Sequence, residues 1–528
     1  MQSLKQLNAY FSKYKGTLAL GTFFLVTANV FLVWIPVYIR DTMDEVAKIG
    51  DNTDTAYSGI AEALFASEAG ELLAINAALL VAFVMLYGIL LFATRQTLIV
   101  TSRKIEYDIR NDVFDKLVSL PQRYFASNQS GDIYIRATED IVRVREYFGP
   151  AFMYTINTLS RGGIIITMML IVNPELTLYA LIPLPFLSAF AYWFSGYIQT
   201  YSNIIQEQYS RLAGKGQEIF SGIRLIKAYN RTDFEFGRFE RESESYRQKK
   251  LKLDMVESLF HPTLVFLIGM SILLVVWKGG QMVIDNQITI GNIAEFVIYV
   301  AYLTWPVASL GYTLNRFQRS LASWYRIREM LNEPTEISDT AKTNHQIDEL
   351  EGKIELRNVK FTYPGAEEPA LKEVSMEINP GEHIAIVGRT GSGKSTLVQL
   401  LPRLFNPDEG EIYLDGHKIN KVPLDILRSS IGYVPQETFL FSDTIAENIA
   451  FGNRRAGKEE VEEAAEKAQV RDNILDFEKK FETILGERGI TLSGGQKQRT
   501  AIARALLTRP KILIFDDSLS AVDTKTED

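Results

Sequence analysis

Two stretches roughly a hundred residues apart carry side chains suited to holding a polyphosphate: Gly388-Arg389-Thr390-Gly391-Ser392-Gly393-Lys394-Ser395-Thr396 and Leu492-Ser493-Gly494-Gly495-Gln496. In the first, glycines let backbone N–H groups approach phosphates, Lys394 can reach the terminal phosphates and Ser395 can hold Mg²⁺. Its flanks suit that use. His383-Ile384-Ala385-Ile386-Val387 predicts a buried strand, and residues 395–404 predict a helix whose N-terminus favours an anion. In the second stretch, Ser493 can cap a helix running through Gln498 and Ala501, so that its hydroxyl and the free N–H groups make a further anion site. Gly494 and Gly495 allow close backbone approach. A predicted strand at 511–516 ends in Asp516, a carboxylate able to hold Mg²⁺ directly or through water, and Asp517 follows it.

These groups need a scaffold, and 528 residues imply more than one domain. Up to about residue 325 the chain carries long apolar runs, whereas the rest is charged. The net charge of -8, with no basic tract, argues against a nucleic-acid partner. With no cysteine, neither a disulfide framework nor a thiolate metal site can form. Six stretches are apolar over the ~20 residues that a bilayer requires: 17–39, 72–94, 149–172, 175–198, 257–277 and 290–313. The first reads as a retained anchor, because no small-residue cleavage site follows it. Basic residues crowd the connections between spans two and three and between four and five, but are sparse in the others. The positive-inside rule therefore puts both long connections and both termini in the cytoplasm of a multi-pass protein. Both long connections have helical periodicity, broken by turn-prone elements at Ser119–Phe125 and Ser221–Tyr229. Residues 332–352 read as a polar linker, and alternating strands and helices begin at Gly352. Along the sixth span, Asn292, Glu295, Tyr299, Tyr302, Pro306, Ser309 and Thr313 recur at helical steps, a polar and aromatic stripe that should avoid lipid.

The Leu492–Gln496 run, placed after the phosphate loop and before a strand ending in Asp516, resembles the ATP-binding cassette (ABC) family, and the resemblance extends along the whole chain. The order, membrane domain before ATPase domain, resembles exporters. The resemblance implies a multidomain membrane protein of the cell (inner or plasma) membrane. An all-α six-helix transmembrane domain over 1–331 and a linker over 332–352 would precede an α/β P-loop nucleotide-binding domain over 353–528, C-terminally incomplete before a switch histidine. ATP and Mg²⁺ are the implied ligands. Tyr363 matches the aromatic that stacks on adenine, Gln436 the loop that senses Mg²⁺ and γ-phosphate, Glu487 a loop that meets the partner's cytoplasmic helices, and Asp523 a loop touching the opposite subunit. The turn-prone elements resemble coupling helices that dock beside the Gln436 loop. In the family, Leu492–Gln496 covers the γ-phosphate bound to a second half's P-loop.

The chain departs from the family at Asp517, where most members carry a catalytic Glu. Asp is one methylene shorter, and a displacement of ~1 Å can cost ~10²-fold in rate. Asp517 beside an intact Leu492–Gln496 resembles one subunit of heterodimeric bacterial multidrug exporters. Its own P-loop would form a degenerate site, and its signature run would complete the partner's competent one. A homodimer whose Asp517 works adequately is the alternative. The implied cargo is small and amphipathic, with Glu295, Tyr299 and Tyr302 expected to line its cavity and Glu295 to favour cations. A lipid or peptide flippase would share every motif, and a non-hydrolysing regulatory half would bind ATP without transport. A soluble ABC ATPase is excluded by the apolar spans.

Overall fold

The computed structural model describes residues 2–51, 68–486 and 492–517. The chain divides into two compact units, one of Met1–Val113 with Ile135–Leu331 and one of Phe114–Tyr134 with Asn332–Asp528.

The described part of the first unit is helical. Its long helices are α1 (Lys15–Asp51), α2 (Glu68–Thr94), α3 (Phe152–Val172), α4 (Pro183–Ser221), α5 (Thr232–Ile284) and α6 (Ile290–Leu331). Among the described residues, 5 helical stretches are long and apolar enough to cross a bilayer: Lys15–Ala47, Ala74–Ser119, Ser130–Val172, Pro174–Ser221 and Thr232–Ile284. The sixth expected span lies in α6, a continuous helix of 42 residues with Pro306 inside, which is outside that group. Apolar faces meet in a core that includes Val33, Ile165, Val275, Phe296 and Leu303.

Two π-helical turns, Arg95–Ile99 and Tyr147–Ala151, sit where α2 runs on into Val100–Ser119 and where α3 begins. Such turns are uncommon and often mark functional bends. Here Gly149 permits close packing, because a Cβ on it would lie 2.6 Å from Ser102 Oγ. The helix Glu139–Glu146 is tied to α6 by Asp140, which is fully buried and accepts from Arg326 Nε (2.8 Å), Arg326 Nη2 (2.6 Å) and Ser323 Oγ (2.9 Å). The second turn-prone element folds as a short helix, Ile223–Ala228, whose Leu225 and Tyr229 neighbourhood is exposed.

In the second unit, β1 (Ile354–Phe361), β2 (Leu371–Ile378), β3 (Glu409–Leu414) and β4 (His417–Lys418) form an antiparallel sheet in the order β2-β1-β3-β4. A parallel pair, β5 (Ile431–Val434) and β6 (Ile512–Phe515), brings the two halves of the candidate site together. α7 (Lys394–Leu400) packs Leu397 and Leu400 into the core under the first sheet. α8 (Gly494–Leu507) packs Ala501 and Ile502 into a second core beside Ile445 and Leu485.

Two expectations need correction. His383–Val387 forms no strand: residues 382–389 are irregular, Ile384 and Ile386 are partly exposed and Val387 is 92% exposed. Alternating β-branched residues favour a pleated surface only where a neighbouring strand supplies a ladder, and among the described residues none pairs with this segment. The helix predicted over 395–404 stops at Leu400, and Arg403 turns the chain with φ of 50°. The stretch 332–352, expected as a polar linker, has no helix or strand and packs at its C-terminal end. Ile347 and Leu350 belong to the core, and Asn344 N–H donates to the Lys421 carbonyl at 2.8 Å.

The first turn-prone element, within Phe114–Tyr134, belongs to the same unit as the sheets. Leu120 and Tyr124 are buried, and Lys116 Nζ donates to Thr335 Oγ1 at 3.2 Å. A small cavity of about 80 Å³ lies between Pro121 and Arg123 on one side and Phe361, Leu404 and Phe405 on the other. The surface met is thus the end of β1 and the turn after α7, and the Gln436 loop is not part of that lining.

Candidate functional site

The loop before α7 is shaped by its glycines. Gly391 and Gly393 take φ of 84° and 88°, where a side chain is strained, and a Cβ on Gly393 would sit 2.5 Å from the Ala370 carbonyl oxygen. Lys394 opens α7 and folds over the loop, its Nζ donating to the carbonyls of Gly388 (2.8 Å) and Arg389 (3.0 Å). Ser395 Oγ donates to Asp516 Oδ1 at 2.8 Å, so the ends of α7 and β6 meet as a hydroxyl and a buried carboxylate. Asp516 also faces Tyr433 on β5, whose phenol is pushed up by burial and by that carboxylate.

Asp517 lies two residues past β6, with φ of 51°, a left-handed conformation that Asp tolerates better than most residues. It accepts from Gln436 Nε2 at 3.1 Å. A cavity of about 860 Å³ is lined by Tyr363, Gly388, Thr390 to Thr396, Gln436, Asp516 and Asp517, and it extends along the open edge of β6 toward Ile384 and Ile386. Tyr363 is half-buried against Phe361 and Phe405, with its hydroxyl 3.1 Å from Thr396 Oγ1. The donor set suits a magnesium nucleotide. Serine and aspartate oxygens are hard ligands, the glycine cradle excludes side chains from the phosphate path, and an ammonium sits over it.

No residue of Leu492–Gln496 is among those lining this cavity. Those residues start α8 instead. Ser493 Oγ accepts from Gln496 N–H at 3.3 Å, and Ser493 N–H donates to Gln496 Oε1 at 2.9 Å. The run is therefore a capping box, a role for Gln496 that its position three residues after a serine could have disclosed. Arg504 was also missed. Its Nε donates to the Asn448 carbonyl at 2.8 Å and its Nη1 to the Phe439 carbonyl at 3.1 Å, while the guanidinium lies over Phe451. It ties the signature helix to the segment that follows Gln436; an arginine inside the alanine-rich face of α8 was the available signal.

Glu487 and Asp523 lie outside the described residues. In the first unit, Glu295 is 1% exposed, ion-paired with Arg40 at 3.2 Å, and accepts from Tyr299 Oη at 2.9 Å. In this arrangement the carboxylate and Tyr299 are enclosed by helix packing, and the charge of Glu295 is already matched. Tyr302 is half-buried, with the Arg161 guanidinium 4.9 Å from its ring centre.

Comparison with known proteins agrees in both units. Residues 18–307 match the family model described as the ABC transporter transmembrane region, and residues 371–520 match the one described as ABC transporter. The multidrug resistance-like ATP-binding protein MdlA of Escherichia coli is 34% identical over 470 residues, covering 89% of this chain and 79% of that protein. The uncharacterized ABC transporter ATP-binding protein YknU of Bacillus subtilis is 33% identical over 531 residues, covering 100% and 87%. An ATP-dependent lipid A-core flippase of Thiobacillus denitrificans is 33% identical over 461 residues, covering 85% and 77%.

Proposed function

The chain belongs to the ABC transporter family, with a membrane region fused to an ATP-binding domain, and from that premise we propose that it is one half of a heterodimeric exporter of amphipathic compounds. It is a multi-pass membrane protein and an ATPase coupled to transport, as its relatives are. In our reading six helices span the bilayer with both termini cytoplasmic. The exposed tip around Ile223–Ala228 docks on the other half, as Phe114–Tyr134 docks within its own ATPase unit.

ATP binds in the cavity before α7, held by the loop amides and Lys394, with Ser395 and Asp516 holding Mg²⁺, which would neutralise phosphate charge when bound. Gln436 and Asp517 stand where the attacking water is oriented. The observation that carries the heterodimer reading is the pairing of a short carboxylate at Asp517 with an intact, capped Ser493. The first makes this chain's own site slow, whereas the second can complete a competent site on another P-loop. A signature run that does not line its own cavity supports this division.

The test is hydrolysis by the purified chain alone and paired with its partner half. We expect slow turnover alone, a marked gain on pairing, and an increase of at least tenfold at the chain's own site for Asp517→Glu. Fast turnover by the isolated parent chain, unchanged in Asp517→Glu, would favour a homodimer with Asp517 as an adequate base. The flippase among the relatives supports a second reading, in which the cargo is a lipid.

A further inference from the structure

Arg161 occupies the middle of a membrane helix and, among the described residues, has no acidic partner. It lies nine residues after Phe152 and eleven before Val172 in α3, so about 15 Å of helix separates it from either end, close to the midplane of a ~30 Å hydrocarbon layer. A cation at that depth is expensive unless it is paired, and ionisable groups there are commonly functional. Glu295, a buried carboxylate in these spans, is already matched by Arg40. Around Arg161, no carboxylate lies within ion-pair distance among the described residues, and its buried Nε has no hydrogen-bond partner. Its contact is the face of Tyr302 on α6, with Tyr87 of α2 within electrostatic reach of both. An aromatic face steadies a guanidinium but leaves its formal charge uncancelled.

A Cβ added to Gly162, Gly163 or Gly88 would meet nothing within 4 Å, so the helix faces next to Arg161 and Tyr87 are not covered by protein. A planar guanidinium with a free edge, flanked by two phenols and bare backbone, matches an anionic head carried on an apolar body: the fork pairs with phosphate or sulfonate oxygens and the rings cover the adjoining carbon skeleton.

We propose that Arg161, with Tyr302 and Tyr87, is the recognition point for the anionic group of the transported amphiphile, so that the cargo includes anionic amphiphiles and is not confined to cations. The proposal rests on the exporter reading above and gives it a substrate class. A phosphate-headed membrane lipid and a soluble anionic compound present the same chemistry to this site.

The experiment uses the complete transporter in phosphatidylcholine vesicles with three probes: phosphatidylglycerol with a fluorescent tail, the soluble dye anilinonaphthalene sulfonate, and the cation ethidium. Arg161→Gln should lower ATP-dependent movement of at least one anionic probe by tenfold or more, with ethidium movement and basal ATPase within twofold of the parent. Arg161→Lys should keep most of the anionic transport. Loss in the lipid arm alone identifies a headgroup as the ligand, and loss in the dye arm alone a soluble compound; either supports the site. Unchanged movement of both anionic probes overturns it. So does an equal loss for all three probes in both variants, which would make Arg161 a packing residue. Ethidium movement by the parent protein tests the multidrug reading separately, so failure there leaves the anion site standing or falling on the other two probes.

Discussion

Asp517 shows what residue types disclose and what they conceal. Its shortened carboxylate was legible from one position in the sequence, as were the P-loop and Asp516. Its partner was not, because Gln436 lies 81 positions away and no spacing rule joins them. Likewise nothing in the motif discloses that Lys394 folds onto the Gly388 and Arg389 carbonyls, which only the curvature of the loop allows. Ser493 was legible as a cap, yet its two roles differ in energy and can be separated. Removing an N-cap hydroxyl costs about 1 kcal/mol. Ser493→Ala should therefore lower the melting temperature only slightly, while ATP turnover by the paired transporter falls at least tenfold if, as proposed, this oxygen meets the γ-phosphate on the other half. A melting curve and a phosphate-release assay on the same preparation decide the matter, and retained turnover would reduce Ser493 to a structural cap.

Whole elements follow local pattern when they can satisfy their own hydrogen bonds and fail to follow it when they depend on neighbours. The apolar runs became helices because a helix closes its ladder within itself, and the break at Asn173–Pro174 was announced by its proline. The π turns at Arg95–Ile99 and Tyr147–Ala151 were invisible, since a one-residue change of ladder leaves the apolar period nearly intact. His383–Val387 read as a strand and is not one, because its pattern says nothing about whether another strand comes within reach. Ion pairs show the same dependence on distant partners. Asp140 sits in a charged run that looks solvated, yet it is fully buried and held by Arg326 and Ser323 from α6. Removing one partner of such a pair costs more than removing both, because a charge is left unmatched. Arg326 keeps 38% of its side chain exposed, which softens the penalty. Asp140→Ala should destabilise the protein by about 3 kcal/mol, at the low end for buried pairs. Asp140→Leu combined with Arg326→Met should recover much of that loss in a thermal-shift measurement. Equal melting of the single and double variants would show that the pair contributes little.

For the whole molecule, the proposal turns on one chain carrying two separate candidate half-sites. The cavity before α7 gathers the P-loop, Gln436, Asp516 and Asp517, whereas the capped serine of α8 lines none of it. In the proposed assembly the helix end of one half closes the phosphate loop of the other, so turnover would belong to the pair. In the proposed heterodimer, with Asp517 shortened in one half, the two composite sites are expected to be unequal. Vanadate traps nucleotide where hydrolysis has occurred, so trapping should hold one nucleotide for every two P-loops, and the labelled chain should be the partner half. Lys394→Ala in this chain should reduce ATP occupancy at its own loop while leaving that trapped nucleotide in place. If both halves trap nucleotide in equal amounts, the two pockets hydrolyse alike and Asp517 is a competent base despite its length. The trapping ratio therefore reads the effect of one methylene at residue 517 across the full assembly, which no assay on the separate chain can do.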